Sequence, residues 1–109
     1  MPFITLFLAH SPDADPEKHR AVIDTGMYRL FAVVARDQAQ GIEVCKRMVA
    51  EEGVQSVVLC PGHSHEDVGA IAQAVGKDVG VTVARGDAAS GRIAAKAMEE
   101  AGWFAPPRQ

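Results

Sequence analysis

The chain predicts an α/β fold: a small open parallel sheet of four strands flanked by helices. This is a (βα)4 unit of flavodoxin-like or Rossmann-like kind, in strand order 2-1-3-4. Three observations lead there. Strand-like and helix-like patterns alternate from end to end. The strand-like runs are almost continuously apolar, as strands buried on both faces are. The helix-like stretches carry recognisable start and stop residues. No linker, low-complexity tract or internal repeat interrupts the 109 residues, so residues 1–109 read as one domain.

The first strand is Phe3–Ala9 within "MPFITLFLAH". That opening lacks the basic residues of a secretory leader and so reads as a strand. Asp15-Pro16 then places a capping acid before a first-turn proline, and "EKHRAVIDTG" is expected to be a helix ending at Gly26. His19 falls on it with Lys18 and Arg20 as a solvated face. "MYRLFAVVAR" (Met27–Arg36) is the second strand. Asp37 with Gln40 resembles a capping box opening "QAQGIEVCKRMVAEEG". In that helix Ile42, Cys45 and Val49 face inward and Gly53 supplies a left-handed stop.

Gln55–Cys60 is the third strand. Ser64 and Asp67 repeat the capping device before a stripe of Val68, Ile71, Ala72 and Val75. The fourth strand is Val79–Arg85, and a last helix over Ser90–Ala101 is expected to bury Ile93, Ala97 and Ala101. Pro106 and Pro107 bar the tail "WFAPPRQ" from continuing as helix, leaving Trp103 and Phe104 to dock on the body or on a second subunit. Right-handed crossovers turn this series into an open parallel sheet.

Composition narrows the function classes. The net charge is -3, with one Tyr, one Trp and no basic run, which leaves nucleic-acid binding without its usual footprint. No stretch approaches the ~18–20 apolar residues of a membrane span. Two cysteines, Cys45 in a helix core and Cys60 at a strand end, make no disulfide framework and point to a reduced, cytoplasmic chain. A core this small beside exposed sheet edges favours a homo-oligomer.

Two stretches, "FLAHSPDADPEKHRAVIDTG" and "VVLCPGHSHEDVGAI", resemble a family of small bacterial proteins known only as a domain of unknown function, number 6506. The resemblance covers nearly the whole chain and is most specific in "ADPEKHR" and the Cys/Gly/His run. It implies a small α/β fold and carries over no activity.

In open α/β sheets ligands bind beyond the carboxyl ends of the strands, where successive connections leave for opposite faces. Here that crevice would lie between the first and third strands. The loops "AHSPDAD" and "CPGHSHED" bring His10, Ser11, Asp13, Asp15, Cys60, Gly62, His63 and His65 to it. The fourth strand adds Arg85, Gly86 and Asp87.

Three chemistries fit. His10, His63 and His65, with Cys60 beside them, are ligand types for a divalent metal such as zinc, although Cys-x2-His-x-His matches no motif of tight spacing. Cys60 before a helix N-terminus is a candidate nucleophile, although a phosphatase-like loop would need arginine where Glu66 stands. His10 and His63 titrate in the range useful for acid–base work, with Asp13 or Asp87 orienting a ring and Arg85 clamping a carboxylate. Backbone N–H groups near Gly62 would suit an anion, but neither "CPGHSH" nor "ARGDAASGR" matches a nucleotide fingerprint.

Plainer roles stand beside each. His63 would bond a loop carbonyl, His65 would sit exposed in a first helical turn, Cys60 would end a buried strand, and Arg85 would pair with Asp87. The leading expectation is a small-molecule-binding domain, with catalytic capacity resting on His10, His63 and Cys60. Its competitor is a non-catalytic oligomerisation or interaction module.

Overall fold

The computed structural model describes residues 1–105. Its elements run β1 (Phe3–His10), β2 (Arg20–Asp24), β3 (Tyr28–Ala35), α1 (Gln38–Glu52), β4 (Ser56–Leu59), α2 (His65–Val75), β5 (Gly80–Val83) and α3 (Ala88–Glu100). The strands form one five-stranded sheet in the order β2-β3-β1-β4-β5. β1 pairs in parallel with β3 and β4, and β4 with β5, whereas β2 is antiparallel to β3. This mixed sheet overturns the expected four-stranded parallel one, and with it the flavodoxin-like or Rossmann-like description.

The difference arises at residues 15–26, expected as a helix. Asp15 and Pro16 do start a helical turn: the N–H groups of Lys18 and His19 donate to the Asp15 carbonyl. One turn later the chain extends. Ala21, Val22 and Ile23 include two β-branched residues that favour a pleated strand. Eight-residue β3 also leaves a free edge, which β2 takes up in register from Arg20↔Val33 to Asp24↔Arg29. Gly26 permits the reversal at φ 97°. Asp24 secures it, accepting from Gly26 N (2.8 Å) and pairing with Arg29 Nε (3.0 Å).

The other helices start where their caps indicate. Asp37 accepts from Gln40 N at 2.9 Å, and Gly53 closes α1 at φ 72°. Ser64 and Asp67 form a reciprocal capping box on α2. Strand alternation sends Ile4, Leu6 and Leu8 of β1, Val33 and Ala35 of β3, and Val57 and Leu59 of β4 to one face. There they meet Val44, Cys45 and Met48 of α1 and Ile71 of α2. Both helices pack on that face, side by side, α1 over β1 and β3 and α2 against β5.

The opposite face is not sandwiched as a doubly wound fold would be. α3 contains no buried residue, and Ile93, expected in the core with Ala97 and Ala101, is 73% exposed. Thr5 on that side is buried, but the other strand residues turned to it, Phe3, Phe7, Leu30 and Ala32 among them, are half-buried or exposed. Among the described residues no helix is long and apolar enough to cross a membrane. The proline break expected at Pro106 and Pro107 lies outside the described residues.

Candidate functional site

His10 is the last residue of β1, and β4 beside it runs into the Cys60–Ser64 loop that starts α2. Cys60 N donates to Leu8 O (3.1 Å), which holds that loop against β1. The two imidazoles consequently lie in contact, with His10 and His63 ring centroids 4.2 Å apart and the rings tilted by 37°. His63 is only 1% exposed, while His10 is half-buried.

Hydrogen bonding decides which nitrogen of His63 carries the proton. Its Nδ1 lies 3.0 Å from the Cys60 carbonyl oxygen. A carbonyl can only accept, so in the neutral ring Nδ1 is the donor and Nε2 holds the lone pair. Cys60 Sγ sits 3.5 Å from the same Nδ1. A nitrogen already donating is not free to take the thiol's proton, so this contact is no thiolate-generating pair in that tautomer.

Three buried polar atoms at this seam have no hydrogen-bond partner: His10 Nε2, His63 Nε2 and Gln38 Oε1. Gln38 is the first residue of α1, and its Nε2 donates to Asp67 O (3.1 Å), tying the starts of α1 and α2 together. Gly41 makes room for the first ring. A Cβ there would stand 3.2 Å from His10 Nε2 and 3.1 Å from Leu8 Cδ2.

Burial pushes the pKa of His10 down, and the neighbouring His63 adds to the fall, while Asp67 and Asp37 oppose it. The Asp67 carboxylate is held below its ordinary range, chiefly by the Ser64 backbone N–H, with both histidines contributing less. His10 is thus held towards its neutral form by burial, with the Asp67 carboxylate close by.

The remaining expected residues spread around this centre. His65 is exposed as the first residue of α2. Among the described residues no group of three or more His, Cys, Asp and Glu side chains is placed to share a metal ion. Ser11 Oγ donates to Asp13 Oδ1 (2.6 Å), and that bond is the main reason the Asp13 carboxyl lies below its usual range. The two residues line, with Pro12, a cleft of about 190 Å³ against Ala101–Trp103. Trp103 is half-buried there and Phe104 is exposed.

Arg85 does not pair with Asp87. Its Nη1 reaches Pro61 O at 3.4 Å, on the loop that carries His63. Asp87 instead caps α3, accepting from Ser90 N at 2.7 Å. Gly62 is exposed beside Cys60 Sγ. Asp15 stays in its own turn, its N–H donating to His19 Nδ1 (2.9 Å) and its Oδ1 accepting from Glu17 N.

Gln38 and Gly41 were missed in the sequence. The signal available was positional: the strand ending at Ala35 also delivers its loop to the carboxyl edge next to β1.

A family model described as "Family of unknown function (DUF6506)" matches residues 3–99. No curated protein and no solved structure matches the chain.

Proposed function

We propose, for a chain that belongs to the DUF6506 family, that the domain binds a small polar or anionic ligand at the carboxyl edge of its sheet and exchanges a proton with it through the His10–His63 pair. The observation that carries this reading is the contacting pair itself, with both Nε2 atoms buried and without partners. A buried acceptor lacking its hydrogen bond costs about 1–3 kcal/mol. The bond from Nδ1 to the Cys60 carbonyl gives one nitrogen of His63 a structural role, and the reading rests on Nε2, which that role leaves without a partner.

The half-buried His10 is the ring a ligand meets first, and His63 behind it holds or passes the proton. Arg85, anchored on the same loop, supplies a positive charge to an anion, and Ser11 with Asp13 forms the other rim. A divalent metal such as zinc would find two nitrogen donors in the pair and take its remaining ligands from water or from the bound molecule. Free thiols at Cys45 and Cys60 support a reducing, cytoplasmic setting.

The test is an imidazole-detected NMR titration of the intact chain with acetate, phosphate and zinc, run beside a thermal-shift screen. His19 and His65 serve as internal references. Selective shifts at His10 and His63, with stabilisation approaching ~2.7 kcal/mol at a hundredfold excess over Kd, support the reading, and H63L should abolish both responses. Shifts equal at all four histidines, or none, would refute it for these ligands.

A further inference from the structure

We propose that the helix-free face of the sheet is covered by a second copy of this chain, an interface separate from the His10–His63 edge. Register defines that face. Phe7 aligns with Ala32 and Val58, and Ala32 with Ala21, while Thr5 aligns with Leu30 and Leu30 with Ile23. No strand residue turned to this side is charged. Phe3 is 51% and Ile23 61% exposed.

Area argues for a second copy. The chain exposes 7321 Å², about 1,500 Å² more than the ~5,800 Å² expected of a compact monomer of its mass. Its radius of gyration is 14.6 Å, against ~13 Å for a domain of this length. A stable complex of ordinary size needs only ~800 Å² from each partner. The open sheet face and α3 both contribute to this surplus. All residues of α3 except Met98 are exposed, although Ile93, Ala94, Ala97 and Met98 share an uncharged side. A short helix that buries no residue is marginal in water.

Charge and shape argue the same way. An uncharged face offers nothing to a nucleic acid or an acidic surface. It does suit a twofold contact, in which a patch meets itself. Large and small side chains alternate across the face, with Phe7 beside Ala32 and Ala21 in one row and Thr5 beside Leu30 and Ile23 in the next. Such an uneven apolar surface can interdigitate with a second copy of itself, as sheets packed ~10 Å apart do.

Light scattering coupled to size exclusion tests this over a wide concentration range. The expected mass is twice the 11.6 kDa of one chain. A32R places a charge in the middle of the face at a residue already exposed in the single chain, and should give a folded monomer. V22R, aligned with Phe31 on the other side of the sheet and 54% exposed, should stay dimeric. A wild-type mass of one chain throughout, or a dimeric A32R, overturns the proposal. Should A32R fail to fold, hydroxyl-radical footprinting of the wild type decides. Protection of Phe7 and Ile23 that disappears on dilution supports it, and labelling independent of concentration, as when α3 folds back on its own sheet, overturns it.

Discussion

Replacing Gly41 with alanine sets two effects of opposite sign against each other, and the structure says which is larger. Glycine inside a helix costs roughly 0.5–1 kcal/mol relative to alanine, so G41A should by propensity alone stabilise α1. The new Cβ, however, would lie 3.1 Å from Leu8 Cδ2 and 3.2 Å from His10 Nε2, well inside the ~3.5–4.0 Å at which carbon atoms rest comfortably. Leu8 is 0% exposed and has nowhere to move. Overpacking of this kind costs about 1–3 kcal/mol, so the net effect is a loss of about 1 kcal/mol.

Gly69 is the control. It lies within α2 with open space where a Cβ would stand, so G69A should be stabilising by roughly 0.5–1 kcal/mol. Urea and thermal unfolding of the two variants separate clash from propensity. In a domain of this size ~1 kcal/mol moves Tm by about 4–8 °C, so G69A should melt at least ~4 °C above G41A. The His10 imidazole resonances should move in G41A alone. Equal stabilisation by both substitutions would show that Gly41 makes no room for the ring, and would sink this account of the His10 position.

Two further outcomes follow from the same geometry. Folding holds the pKa of His10 below its ordinary 6.5, so the unfolded chain takes up the proton first as pH falls, and stability drops below about pH 6.5 until the folded ring is protonated too. Urea midpoints measured between about pH 8 and 5, above the range where carboxylates titrate, should fall in the wild type and fall less in H10Q; parallel curves would refute the link. The two thiols should also differ. Burial pushes Cys45 up to about 12, whereas Cys60 is half-buried, so iodoacetamide at about pH 8 should modify Cys60 in the native protein and Cys45 only after unfolding. Equal rates for both would contradict the packing of α1.

Much of this molecule was written locally. The caps at Asp37 and Ser64, the stop at Gly53 and the apolar runs of β1, β3 and β4 each depend on residues within a turn or a strand of one another, and all could be read in order. The convergence of His10 with the Cys60–His63 loop was legible too, but through the right-handed crossover rule that sets β1 beside β4 and not through local signals alone. Residues 20–24 were decided elsewhere. Asp15-Pro16 is a sound helix start, and only the free edge of β3, a partner in space, makes the extended form the better one for Ala21, Val22 and Ile23. α3 shows the converse. Its periodicity predicts a helix correctly, but periodicity says only that one side wants cover and not whether this chain provides it. The tautomer of His63, the space at Gly41 and the uncovered sheet face belong to the same class. Each depends on where atoms from separate elements stop relative to one another, and that distance is set by packing.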